Sequence, residues 1–402
     1  MQSYAGDPLN IIHTVGLETV APVVRVELTF AQALAKPKFE QALHAVVGVV
    51  PELGCRYVLA TNSYTPIDAP LIHDAVANPD ADARNWRLTE APQLRVYWQS
   101  DEHLVIYISH VFADGAGAKE LLYLIAQAYR DGAAALAGKT NSTDAAWLQA
   151  QVAKHQIQAA GADHPAKPLS LPALADEAKK TYRVGHLTLS ATTTQALIHA
   201  AKALGVTVND VVMAAFGRSV QRFSDTSRIA LACPTDMRQF APDDQRRIAN
   251  FTSRYNFDID APDAEPFAAI VQRVHDVMVK NKQTRQCFDS IQDLLAQVDT
   301  APLAKLQQTV AANYHMRDIA YTNFGVLKQD QLDFGVALNQ VIMTGGFRTA
   351  PAYQTAVATY AGRLTLAFNM IGNETDYRFG IALLHLQELL IENFALEMRA
   401  ID

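Results

Sequence analysis

The sequence predicts a mixed α/β (α+β) fold made of two comparable halves. Three observations carry this. Segments with the two-residue alternation of strands interleave with segments of helical period. The same style resumes after residue 182. Between the halves lies a stretch rich in Ala, Gly, Ser, Asp and Pro. A chain of 402 residues has material for sizeable cores, and 50% hydrophobic with 19% charged residues is an ordinary globular profile.

In the first half, Val24, Val26, Leu28 and Phe30 alternate with Arg25, Glu27 and Thr29, the period of a half-buried strand. Pro37 suits the first turn of a helix whose apolar face is Phe39, Ala42, Leu43, Val46 and Val50, and Pro51 stops it. Leu94, Val96 and Trp98 alternate with Arg95 and Tyr97. Residues 99–102 read as a turn and 104–108 as the return strand of an antiparallel hairpin. A helix from Gly117 to Arg130 is closed by Gly132. Composition changes over residues 133–182, where Pro165, Pro168 and Pro172 cluster and only residues 145–160 have helical character. The expected organisation is an N-terminal lobe over residues 1–140, a connector over 141–182 and a C-terminal lobe over 183–402.

In the second half, residues 186–190 read as a strand. Leu197, Ala200, Ala201 and Leu204 line a helix that Gly205 ends, and Thr207 with Asp210 opens the next by a capping-box pattern. Residues 229–233 form an apolar strand expected to end at Pro234. Pro266 opens a helix on Phe267, Ile270, Val271 and Val274; Leu364, Leu366 and Phe368 mark a late strand; residues 382–398 form an amphipathic closing helix.

Lys and Arg total 34 against 41 Asp and Glu, so the net charge is −7, which offers no footprint for nucleic acid or an anionic membrane. Cys55, Cys233 and Cys287 are too widely spaced for a CxxC pair, so no disulfide framework or zinc site is expected. The first residues lack the basic start and apolar stretch of a signal peptide, and no long uninterrupted apolar run suggests a membrane span; a cytoplasmic location is expected.

The chemistry concentrates where the strand from Leu104 gives way to Ser109-His110-Val111-Phe112-Ala113-Asp114-Gly115. A histidine just past a buried strand is held rigidly and can face a cleft, and imidazole is the usual general base near neutral pH. A carboxylate four residues on could orient the loop, with Gly115 expected to supply backbone freedom for the turn. The same residue types would equally make a strand-end histidine followed by a helix cap. By composition, His-x-x-x-Asp-Gly arises by chance in roughly one in thirty chains this long, so placement matters as much as pattern.

The segment resembles the His-x-x-x-Asp-Gly signature of the chloramphenicol acetyltransferase and condensation-domain superfamily. Leu204-Gly205-Val206-Thr207-Val208-Asn209-Asp210-Val211, Pro234-Thr235-Asp236-Met237-Arg238 and Thr322-Asn323-Phe324-Gly325 are similar to further motifs of these proteins, in the same order. The resemblance implies two lobes in a V with a tunnel between them, no permanently bound cofactor, and acyl transfer from acyl-coenzyme A or an acyl-phosphopantetheine carrier to a small alcohol or amine acceptor. It implies His110 as general base, Asp114 as its structural companion in the catalytic motif and Arg238 as the ion-pair partner of Asp114. Ser109, Thr322 and Asn323 become candidate substrate contacts, and an acyl carrier protein a candidate partner of a monomeric enzyme. The alternatives are a non-catalytic binding protein of this fold, or a hydrolytic, condensing or cyclising relative in a peptide-synthetase-type pathway.

Two departures bear on this. Condensation domains usually carry two adjacent histidines, whereas Ser109 precedes His110, and Asp333-Phe334-Gly335 matches the DFGWG motif of plant acyltransferases only in part. Residues 132–140 miss the P-loop spacing by one residue, and Glu120 stands where a dinucleotide fingerprint needs its third glycine. No kinase set, GxSxG elbow or HExxH occurs. Of the remaining histidines, expected at the surface or half-buried, His315 alone stands near a motif and is a candidate to line the site.

Overall fold

The computed structural model describes residues 3–399 apart from 16, 18–20, 157–164, 166 and 314–316. Its first large sheet has five strands in the order Leu338–Thr344, Val23–Phe30, His103–Ser109, Leu94–Ser100 and Ile72–Asp74. The expected hairpin is its centre, with Leu94 opposite Ile108 and Trp98 opposite Leu104. All pairings are antiparallel except that of the edge strand Ile72–Asp74. Helices Lys36–Val49 and Gly115–Asp131 pack together and share one core with this sheet through Phe39, Leu43, Leu122 and Ile125 against Val26, Leu104 and Ile106.

The second large sheet has the order Ile319–Val326, Tyr353–Tyr360, Arg363–Gly372 and Arg348–Thr349, with Thr181–Thr188 also pairing with Arg363–Gly372. Helices Ala191–Leu204, Val208–Gln221 and Glu374–Arg399 pack on one another and contribute to a second core. Gly205, in the left-handed region at φ 75°, ends the first of them, and the Thr207–Asp210 box opens the next with both reciprocal bonds in place. By length and composition Glu374–Arg399 could cross a membrane. Here its Leu383, Leu384, Ile391 and Phe394 are buried in the second core.

The cores do not divide the chain into two uninterrupted stretches. Leu338–Thr344 leaves the second half to become an edge of the first sheet, and Phe324 and Leu327 join the first core. In return Leu9, Ile11 and Ile12, in the one-turn-plus helix Pro8–Thr14, join the second core.

Several boundaries differ from expectation for local reasons. The strand expected to stop before Pro234 runs over Arg228–Asp236, because it pairs only with Thr252–Asp260 in a two-stranded ribbon, and proline is tolerated where no second ladder needs its N–H. The strand expected at 186–190 is Thr181–Thr188, since Ser190 instead caps the following helix by accepting the Thr193 N–H. The closing helix begins at Glu374 rather than 382. Asn373 and Asp376 exchange hydrogen bonds of 2.9 Å between side chains and main-chain N–H groups, which starts the helix two turns early. Of residues 145–160, Ala146–Val152 is helical, and 157–160 lie outside the described residues.

Candidate active site

The site forms where the strand His103–Ser109 ends. The Ser109 carbonyl accepts the N–H groups of Phe112 and Ala113, curling the chain at once, and the His110 N–H is held by the Pro22 carbonyl at 2.7 Å. The His110 carbonyl accepts a 2.7 Å bond from Asn250 Nδ2 of the segment leading into Thr252–Asp260. Asp114 then caps the helix Gly115–Asp131 through the Gly117 N–H at 2.7 Å.

The Asp114 carboxylate is almost wholly committed. Besides the cap, Oδ2 accepts the Phe251 N–H at 2.6 Å, and Arg238 Nη1 lies 2.9 Å from Oδ2 and 3.1 Å from Oδ1. The remaining nitrogens of Arg238 donate to the carbonyls of Arg247 and Ala249, and its guanidinium lies over the Phe251 ring. The expected Asp114–Arg238 ion pair is therefore present, within a net of charge-assisted bonds. No hydrogen bond joins the Asp114 carboxylate to the His110 ring, so the aspartate is placed as a structural tie and not as a proton relay.

Gly115 departs from its expected role. It does not adopt a left-handed conformation; a Cβ there would lie 2.8 Å from the Phe324 ring, so the residue must be small because the second half of the chain packs on it. Gly117 is under the same constraint, 2.7 Å from the Ala249 carbonyl oxygen.

His110, Asp114 and Gly115 line a cavity of about 270 Å³ together with Thr322, Asn323 and Phe324 from the strand Ile319–Val326 and Pro234, Thr235 and Asp236 from the ribbon. Thr322 and Asn323 thus face it as expected. The Asn323 amide is tied at both ends: its oxygen accepts the Gly325 N–H at 2.7 Å and its nitrogen donates to Asn209 Oδ1 at 2.7 Å, joining two of the sequence motifs. Ser109 does not reach the cavity. Its side chain is fully buried and is not among the residues that line the cavity. His315 lies outside the described residues.

Among the cavity residues that escaped the sequence reading, two polar groups lie close to the motif. Lys119, one turn into the helix after Asp114, donates to the Phe324 carbonyl at 2.6 Å, and burial lowers its basicity against the opposing pull of Asp236. His13, from Pro8–Thr14, stacks on His110 with ring centroids 4.0 Å apart and planes 20° apart. Helix spacing from Lys119 to Asp114 could have signalled the first; nothing local to residue 13 could have signalled the second. Burial lowers the basicity of His110 below the usual 6.5, opposed by its own main chain and by the Asp114 charge. Its Nδ1 is enclosed without a partner in another described residue. The arrangement presents a neutral imidazole to a cavity, able to accept a proton there. Among the described residues no group of three or more His, Cys, Asp or Glu is placed to hold a metal ion.

Comparison with known proteins places this geometry in a class. The condensation-domain family model matches residues 76–357, more than half of the chain. The chain belongs to the condensation-domain family. Its structure is similar to polyketide synthase associated protein 5 from Mycobacterium tuberculosis, with a TM-score of 0.67 at 15% identity over 98% of both chains. It is similar to the first condensation domain of the calcium-dependent antibiotic synthetase, solved with a substrate analogue, with a TM-score of 0.67 at 18% identity over 98% of both chains. It also resembles the trichothecene 15-O-acetyltransferase of Fusarium sporotrichioides, with a TM-score of 0.65 at 11% identity over 96% of this chain and 95% of that one. At these identities the likeness is one of fold. Sequence comparison with curated proteins finds no match.

Proposed function

We propose that this protein is an acyltransferase that moves an acyl group from a thioester to an alcohol or amine acceptor, with His110 as general base. The observation that carries the reading is His110 itself, an imidazole of lowered basicity on the wall of a cavity shared by both halves of the chain. Membership of the condensation-domain family and the fold shared with an acetyltransferase support it. With Nδ1 enclosed, Nε2 is the nitrogen left to act. It takes the acceptor's proton as the acceptor oxygen or nitrogen attacks the thioester carbonyl carbon. The tetrahedral adduct then collapses, the C–S bond breaks, and the departing sulfur takes the proton from His110. No covalent enzyme intermediate is needed, and holding both reactants together supplies the proximity.

The cavity of about 270 Å³ has room for the reacting ends of two substrates. On this reading the donor is a thioester on the pantetheine arm of coenzyme A or of a carrier protein.

The test has two arms. Thermal unfolding with coenzyme A and a series of acyl-coenzyme A thioesters reads donor binding, where a ligand at ~100 times its dissociation constant stabilises by about 2.7 kcal/mol. Thiol release in the presence of alcohol and amine acceptors reads turnover, which His110→Ala lowers by about 10²-fold or more. A variant that binds the thioester as wild type does, in a protein with no turnover to lose, would make the chain a binding protein.

A further inference from the structure

His13 is one of the polar side chains lining this cavity that the mechanism above does not use. It reaches the cavity from Pro8–Thr14, far in sequence from the motif, and is held there firmly. Asp7 caps that helix through the N–H groups of Leu9 and Asn10, and its other carboxylate oxygen accepts the Asn250 N–H. Asn250 is the residue that also binds the His110 carbonyl. Thr14 accepts a bond from Gln307, and Ile11 and Ile12 are buried in the second core. One hydrogen-bonded path thus fixes both imidazoles, and they lie face to face at 4.0 Å on the same cavity wall.

A core histidine is ordinarily satisfied by a protein partner, and a buried polar atom left without one calls for an explanation. Nε2 of His13 is buried and has none among the described residues. Its other nitrogen makes no hydrogen bond with the described residues, and the ring borders the cavity. We propose that His13 is a second substrate-contacting imidazole, which stays neutral throughout and donates a hydrogen bond to the thioester carbonyl oxygen as that oxygen takes up negative charge. The proposal rests on the acyl-transfer reading and assigns it a donor that neither the motif nor the adjacent Ser109 supplies.

Two stacked imidazoles 4.0 Å apart cannot both be charged in a buried site, because the second positive charge is repelled by the first. Burial and then the His110 charge push the basicity of His13 well below the usual range. The other charged groups on the cavity wall are Asp114, Lys119, Asp236 and Arg348, and Asp7 stands on the helix that carries His13. Of the groups here, His110 is the one whose ring stacks on His13. His110 therefore takes the acceptor's proton. His13 keeps its own single ring proton, which is a donor aimed at the developing oxyanion and is never transferred.

The decisive variant is His13→Phe, which keeps an aromatic face against His110 and removes both nitrogens. Loss of one oxyanion donor lowers kcat by about 10²-fold. Because the bond strengthens only in the transition state, KM for the acyl-coenzyme A changes little. His13→Gln restores part of the rate by offering an amide N–H. A His13→Phe variant with wild-type kcat overturns the proposal. If wild type releases no thiol from any donor, the acyl-transfer reading fails first, and the proposal is then judged on ring titration followed by NMR of histidine-labelled protein. The expected result is that the first proton taken up by the pair goes on His110, with a midpoint below pH 6.5. Protonation of His13 before His110 overturns it.

Discussion

Arg238 and Asp114, 124 residues apart in the chain, meet at 2.9 Å beside the cavity and tie the ribbon to the loop that carries His110. Both side chains are largely withdrawn from solvent, at 15% and 4% exposure. The carboxylate also caps a helix and receives the Phe251 N–H, so three segments depend on one charge.

Asp114→Asn is expected to cost about 3–5 kcal/mol in urea unfolding, the usual penalty for leaving one member of a buried pair without its partner. Arg238→Met removes the other member and leaves the carboxylate buried. Because the two share one interaction, the double variant loses less than the two single losses combined. Strict additivity would mean that the pair is not coupled.

The pH dependence of the reaction follows from His110. The base works when neutral, and burial holds its proton affinity below the usual 6.5. The acid limb of the kcat/KM profile is therefore centred below pH 6.5. An acid limb centred at or above 6.5 would exclude His110, as it stands here, from the role of base.

Asp7 shows the opposite shift. Burial, opposed by bonds from Asn250 and Leu9 and helped by the nearby Asp114 charge, pushes its carboxyl up to about 8 from 3.8. A folded-state value above the unfolded one means that stability is fully present below about pH 4 and is lost as pH rises through 8. Asp7→Asn cannot titrate. Relative to that variant, wild type should lose stability from about pH 4 to pH 8 and level off above. Urea unfolding at pH 5, 7 and 9 measures this, and a difference that does not move with pH would show that the carboxyl is ionised throughout.

Gly117→Ala should be worse than Gly115→Ala. The added methyl at 117 meets the Ala249 carbonyl, a main-chain atom that cannot turn aside, while at 115 it meets the Phe324 ring. A cost of about 1–3 kcal/mol is expected at 117, read as a fall in Tm. Equal tolerance at both positions would show that the segment around Ala249 moves freely.

Much of the local structure was legible. The hairpin declared itself by alternation on either side of a polar turn, and the helix after Asp114 by its cap and by Gly132. The Thr207–Asp210 box and Gly205 marked two helix ends to the residue. The segment Leu338–Thr344 was not anticipated as a strand, and its place beside Val23–Phe30 in the other half's sheet depends on a crossover that no local pattern encodes. Within the site, the motif located His110, Asp114 and, by resemblance, Arg238. Ser109, expected to contact substrate, is buried away from the cavity, which no pattern in the motif signals. Gly115 was assigned to turn geometry when the constraint on it comes from Phe324.

The sequence by itself determined the periodic elements, most of their caps, and the strand–loop–helix that presents an imidazole, because alternation, capping and turn formation act among residues a few positions apart. Tertiary structure alone decided that His13 lies against His110, that Asn209 holds Asn323 and that Lys119 reaches the Phe324 carbonyl. These contacts join segments whose approach is set by the packing of two interleaved cores. Burial there is also what changes the proton affinity of the imidazoles, a property that no residue carries in its sequence neighbourhood.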